Sequence, residues 1–257
     1  VRVFPGGIFE FFGNDLFGYF RMIFSELMRM HTNKLLDVMR AKCFVTGTVM
    51  IFGLFGGKAS ASSEDLFWKW FVKNEAALYA MEQPNEALFD ELSAKFEAIN
   101  EDLAFEFSPV KGNGKKEFVV SAGGIKASFP AVEAVIDAAP KLERWEWVRY
   151  RPRRLPLNNI SFGGIDVNVE DVRYVMGKDG NKVGIILFMP GYSDEQHSLF
   201  GQIGYLLLDE ALGEYTVATK VGFIQFQAPD TAYFDQSSPL PQLPGHFDEY
   251  HGIGRVQ

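Results

Sequence analysis

Between Phe200 and Phe226 the chain changes its hydrophobic period in mid-course. Ile203, Leu206, Leu207, Ala211 and Leu212 recur at the three- and four-residue spacing that lines one side of a helix, leaving Asp209, Glu210 and Glu214 for the side facing water. Gly213 is placed to end this helix, because glycine enters left-handed backbone without a Cβ penalty. From Val221 the period falls to two. Nearly every residue through Phe226 is apolar or small, which predicts a strand covered on both faces.

The same reasoning extends upstream. Ser63, followed by Glu64 and Asp65, starts a helix whose bulky face is Phe67, Trp68, Phe71, Val72, Ala76, Leu78 and Tyr79. After Pro84 and Asn85, Leu88, Phe89, Leu92, Phe96 and Ile99 mark a second helix, and the two are expected to pack as a hairpin. Leu103, Phe105 and Phe107 alternate as a strand, Lys111–Gly112–Asn113–Gly114 turns the chain, and Glu117 to Val120 returns. A short helix begins at Pro130, runs through Val132, Val135 and Ile136 and stops before Pro140, and a strand through Trp145 and Trp147 follows. Downstream, Val172 to Val175, a turn at 178–181, and Val183 to Met189 precede the 200s helix and the Val221 strand. Ile165 to Val169 adds a strand between the two sets. The fold expected is therefore α+β: an N-terminal helical hairpin followed by two ββαβ-like units, forming a largely antiparallel sheet with helices on one face. From residue 229 onward, Pro229, Pro239, Pro241 and Pro244 predict an extended surface tail over 229–257.

Residues 1–61 do not share this order, so the α+β domain is expected over 62–228. Seven phenylalanines lie among the first 24 residues without helical or strand periodicity. Around Met39 to Ala61, basic Arg40 and Lys42, an apolar run and Ala59–Ser60–Ala61 stand in the order of a secretory signal. Read that way, translation would begin near Met39 and the protein would be exported. Read instead with Met50 as the start, MIFGLFGGK is an unstructured leader and the protein stays in the cytoplasm. The apolar run is short for a membrane span, and none is expected.

The 257 residues carry a net charge of −8, against the basic footprint that nucleic-acid binding requires. One cysteine, Cys43, allows neither an internal disulfide nor a cysteine zinc site. FWKWF at 67–71, EALFDELSAKFEAINEDLAFEF at 86–107, EFVVSAGG at 117–124 and LLLDEALGEY at 206–215 together resemble a group of uncharacterised bacterial α+β proteins over roughly residues 64–250. The resemblance implies a compact soluble bacterial domain and carries over no catalytic residue.

Chemical motifs are sparse. The chain has no G-x-S-x-G, phosphate-loop, H-E-x-x-H or paired C-x-x-C sequence. His246 and His251 flank Asp248 and Glu249 but read as a polar tail rather than metal ligands, and no metal or cofactor is expected. His197, after Asp194 and Glu195, could act as a base; Ser193 or Asp194 as a helix cap is the preferred reading. Glu210 and Glu214 read as a solvated helix face. The distinctive stretch is basic: Arg144, Arg149, Arg151, Arg153 and Arg154, interrupted by Trp145, Trp147 and Tyr150, in an acidic chain. In a regular strand Trp145, Trp147, Arg149 and Arg151 share a face, a composition suited to an acidic protein or an anionic ligand. The candidate site is Trp145, Trp147, Arg149, Arg151 and Arg153 in a non-enzymatic interaction domain. The alternative is a hydrolase or transferase whose acids and histidine meet only in the fold.

Overall fold

The computed structural model describes residues 61–82 and 85–253. The leader expected over 1–61, apart from its last residue, and the 83–84 link between the first two helices lie outside them. The chain is α+β, and its described residues divide into two compact units. One contains residues up to 120 together with 128–147; the other contains 121–127 and 148–253.

In the first unit, α1 (Ser63–Ala80) begins at a capping box: Ser62 Oγ accepts from the Asp65 amide at 3.1 Å and Asp65 Oδ2 accepts from the Ser62 amide at 3.3 Å. Such a cap stabilises a helix by about 1 kcal/mol. Helix α2 is Glu86–Glu97, and the Trp70 indole of α1 donates to Glu91 on it at 2.6 Å. Strands β1 (Ala104–Phe107), β2 (Lys116–Ser121) and β3 (Trp145–Arg149) lie in the order β1-β2-β3, with α3 (Phe129–Asp137) between β2 and β3 in sequence. Pro130 sits in the first turn of α3, where its missing N–H is harmless.

The core of this unit is aromatic. Phe67, Phe71 and Phe118 have no exposed surface; Phe67 lies 4.9 Å from Phe96, and Phe107 lies 5.0 Å from Phe118, between ring centres. Tilted and edge-on pairs of this kind add roughly 1 kcal/mol each beyond area burial. The stripes read from the sequence as helical faces therefore meet in one cluster. Lys111 closes the β1–β2 connection, its Nζ 2.6 Å from Glu117 and 2.8 Å from Glu146.

In the second unit, β4 (Ile160–Phe162) and β5 (Ile165–Val167) form an antiparallel hairpin. Strands β6 (Arg173–Asp179) and β7 (Lys182–Phe188) pair antiparallel from Arg173↔Phe188 to Asp179↔Lys182. Two helices, α4 (His197–Leu212) and α5 (Glu214–Lys220), lead into β8 (Val221–Gln227), which pairs parallel with β7. Strand β9 (Ser238–Pro239) completes the sheet order β8-β7-β6-β9, and α6 (Leu243–Tyr250) follows. Buried Val183, Ile185 and Leu187 of β7, Phe200, Ile203 and Leu207 of α4, and Leu243 and Phe247 of α6 are core residues of this unit.

Three features depart from the sequence reading. The strands belong to three sheets, and β7–β8 is parallel because a helical crossover returns the chain to run in the same direction. Gly213 does not hand the chain directly to a strand. It has φ 84 and ψ 137, a backbone suited to glycine, and it joins α4 to α5. The C-terminal tail is not extended throughout: Pro244 falls in the first turn of α6, and Leu243 and Phe247, one turn apart, are both fully buried. Prolines that signal a break in a strand are compatible with a helix start.

Candidate functional site

The five predicted site residues fall in both units. In the first, Trp145 is 4% exposed, donates its indole N–H to Glu75 Oε1 at 2.8 Å and lies 5.0 Å from Phe71. Trp147 is half-buried, donates to the Pro140 carbonyl at 2.7 Å and lies 4.6 Å from Trp68. The two indoles are parallel within 9° at 5.8 Å. Both are thus members of the aromatic core. Beside them Arg144 pairs with Glu75 at 2.6 Å and stacks 4.3 Å over Tyr79.

In the second unit, residues 148–158 carry the remaining arginines. Arg149 is exposed. Tyr150, at φ 61, ends the strand and packs 5.3 Å from Tyr215. Arg151 is 8% exposed, with Nη1 3.5 Å from Asp209 Oδ2. Arg153 forks onto Asp248 of α6, at 2.7 and 2.9 Å. That hydrogen bond raises the Arg153 pKa and holds the Asp248 carboxyl below its ordinary value.

The acids of α4 and α5 hold this stretch in place. Arg151 donates its amide to Glu214 Oε2 at 2.9 Å, and the Glu214 amide donates back to the Arg151 carbonyl at 2.9 Å. The other Glu214 oxygen accepts the amides of Ala122 at 3.0 Å and Gly124 at 2.9 Å. Gly123 and Gly124 have φ 58 and 78, a turn that aims the Ala122 and Gly124 amides at one carboxylate oxygen while the Gly123 amide between them donates to Ser121 Oγ at 2.9 Å. The Arg154 amide donates to the Glu210 carbonyl at 2.8 Å, and the Asn158 side chain donates to Glu210 Oε1. Gly213 suits this position by its φ of 84, and the Arg153 amide nitrogen lies 3.4 Å from where a Cβ would stand. Residues 151–158 therefore form a strap fastened to the acidic helices by backbone and side-chain bonds.

This overturns the solvated-face expectation. Asp209, Glu210 and Glu214 are 6%, 5% and 0% exposed. A helical stripe shows which side of α4 is apolar, but water is excluded from the other side by a segment more than fifty residues earlier in the chain. The complementary charges of Arg151 and Arg153 were the available signal, and nothing local pairs them with particular acids.

The histidines separate. His197 is exposed, its Nδ1 2.8 Å from Tyr192 Oη, which lies 3.4 Å from Asp194 Oδ1. Ser193 makes no side-chain cap bond; Glu195 has its pKa lowered first by its own backbone amide and then by the Ser193 hydroxyl. His246 pairs with the Tyr174 hydroxyl, whose pKa burial raises to about 12. His251 lies 4.5 Å from Phe247, and burial lowers its pKa. Among the described residues no cluster of three or more His, Cys, Asp or Glu could hold a metal ion, and no helix is long and apolar enough to cross a membrane.

Lys116 escaped the sequence reading. Buried at 4% exposure, it donates from Nζ to the carbonyls of Leu78 at 3.0 Å and Met81 at 2.8 Å, closing the C-terminal end of α1. Burial lowers its pKa. No family model, curated protein or solved structure matches the chain.

Proposed function

We propose that the chain is a non-enzymatic interaction domain that receives an acidic protein or an anionic ligand on the basic segment from Arg149 to Arg154, where β3 runs into the strap. The observation that carries this reading is the double fastening of the strap to Glu210 and Glu214, by backbone bonds at 2.8 and 2.9 Å. The held backbone presents half-exposed Arg154, five residues after exposed Arg149, with little ordering left to lose on binding, while the Arg153 guanidinium is engaged by Asp248. Arg151 serves the strap itself, and Trp145 and Trp147 serve the core of the other unit. The acids an enzyme would need, Glu210 and Glu214, hold backbone and amide groups instead.

The strand–strand–helix–strand order of 104–149, repeated with an added helix over 173–227, supports a reading as two ββαβ-like units, the helical hairpin preceding them. The resemblance would make this a compact bacterial domain, and a start at Met50 would leave it in the cytoplasm. The intact mass of the protein isolated from its host tests this, because export would remove residues up to about Ala61.

Binding of a fluorescent poly-glutamate peptide to the full chain tests the main reading. Expected is binding that weakens with salt and falls at least about tenfold in R149E/R154E, with thermal stability retained. Equal affinity for poly-glutamate and a Gly/Ser peptide of the same length overturns it.

A further inference from the structure

Asn113, in the turn between β1 and β2, is the only asparagine of the chain followed by glycine. Residues 111–114 are all exposed. The Lys115 amide donates to Asn113 Oδ1 at 3.0 Å, a bond that folds the side chain back along the Gly114 peptide and draws electron density from Cγ. Gly114, at φ 75, has no side chain to shield its own amide nitrogen, and nothing lies within 4 Å of where a Cβ would stand. That N–H donates to the Lys111 carbonyl at 2.9 Å, and exposed backbone bonds of a turn are among the first to open. The Tyr79 hydroxyl donates to the Gly114 carbonyl at 2.9 Å, which belongs to the next peptide. The Asn113 amino group donates to Glu146 Oε1 at 3.2 Å.

We propose that Asn113 is a site of spontaneous deamidation, and that the change loosens the tie between this turn and β3. When the turn opens, the Gly114 amide gives its proton to hydroxide and its nitrogen attacks Asn113 Cγ. A bond forms between the two, the bond from Cγ to the side-chain nitrogen breaks, and that nitrogen leaves as ammonia with a proton from water. Water then adds to either carbonyl of the cyclic imide and opens it to aspartate or to isoaspartate. In sum, asparagine and water give the acid and ammonia, and nothing is oxidised or reduced. The product falls in a charged network: Lys111 Nζ is shared between Glu117 at 2.6 Å and Glu146 at 2.8 Å. A carboxylate at 113 cannot donate to Glu146 and sets a third negative charge about one ammonium. Isoaspartate also lengthens the main chain inside a turn that the Lys111 amide closes on the Lys115 carbonyl at 2.7 Å. Asn181, exposed in the turn between β6 and β7, precedes Lys182, whose side chain hinders the same attack.

Peptide mass mapping of the full chain, incubated folded and in urea in mildly alkaline buffer, tests it. The peptide holding Asn113 is expected to gain the mass difference between hydroxyl and amino before any peptide holding Asn181 changes, with isoaspartate formed beside aspartate. N113S, which lacks the side-chain amide, is expected to show no such change at 113. N113D, which is the aspartate product, is expected to melt below the wild type, by a margin that shrinks at high salt. An Asn113 amide that persists while Asn181 loses its own overturns the proposal. So does conversion more than about a hundredfold slower in the folded chain than in urea, since the turn then stays closed. An N113D protein that melts with the wild type at low salt overturns it as well.

Discussion

Arg151 and Glu214 bond to each other in both directions: the arginine amide reaches the glutamate carboxylate, and the glutamate amide reaches the arginine carbonyl, each at 2.9 Å. With Ala122 and Gly124 donating to its other oxygen, Glu214 is a buried carboxylate held by three backbone amides. Amides of this kind stabilise a charge that burial alone would penalise heavily. E214A removes the acceptor and strands three donors, so it is expected to destabilise the fold by about 3 kcal/mol or more. E214Q, which keeps one carbonyl oxygen, should cost less. Urea unfolding checks both, and a loss below about 1 kcal/mol in E214A would place the strap's anchorage elsewhere.

Gly204 and Gly201 lie on the same helix and differ in what a side chain would meet. A Cβ at Gly204 would come within 2.2 Å of the Phe226 ring, whereas one at Gly201 would stand at an ordinary 3.6 Å from it. G204A is expected to cost about 1–3 kcal/mol by overpacking. G201A should be neutral or stabilising by up to about 1 kcal/mol, because alanine orders a helix at lower entropy cost. Thermal melts of the two variants separate the effects.

Lys116 predicts an alkaline response. Its folded pKa is lowered by burial below the ordinary 10.5, so in that window the unfolded chain binds more protons. The stability of the wild type relative to K116M should therefore rise as pH climbs through the window towards 10.5 and level off below it. Unfolding free energies of both proteins between about pH 8 and 10.5 test the sign. A wild-type protein that loses stability relative to K116M over that range contradicts a buried, desolvated ammonium.

Helix α6 should loosen in acid. His251 has its pKa lowered by burial, so its contribution is full above 6.5 and fades as pH falls below that value. Asp248, lowered by the Arg153 hydrogen bond, adds a second loss as pH falls below 3.8. Because Arg153 and Asp248 are 29% and 28% exposed, this pair contributes about 1 kcal/mol or less. Protection factors of the 243–250 amides, taken relative to the intrinsic exchange rate at each pH, should fall on acidification, with the upper step absent in H251F. Protection independent of pH between about 7 and 5 would show that His251 plays no part in holding α6.

Much of the fold was legible locally. The stripes of α1 and α2, the alternation of β1 and the apolar run of β7 correspond to elements whose apolar residues are buried together. Local pattern misled where one signal suits two structures. Proline near residue 244 fits both an extended tail and a helix start, and only burial of Leu243 and Phe247 selects the helix. Gly213 fits a helix end, but which element comes next depends on the strap that Glu214 binds.

The sequence by itself determined the α+β class, the helix and strand periods and the chain's acidic balance, because each depends on spacing or composition within a few residues. Only the tertiary structure decided what the charged residues do. Arg151 finds Glu214 63 positions away, Ala122 finds it from 92, and Arg153 finds Asp248 from 95. A carboxylate three or four residues from its neighbours on a helix reads as solvated unless distant donors close over it. Periodicity reports which face of an element is apolar, but the fate of its polar face depends on partners that only the folded chain brings near.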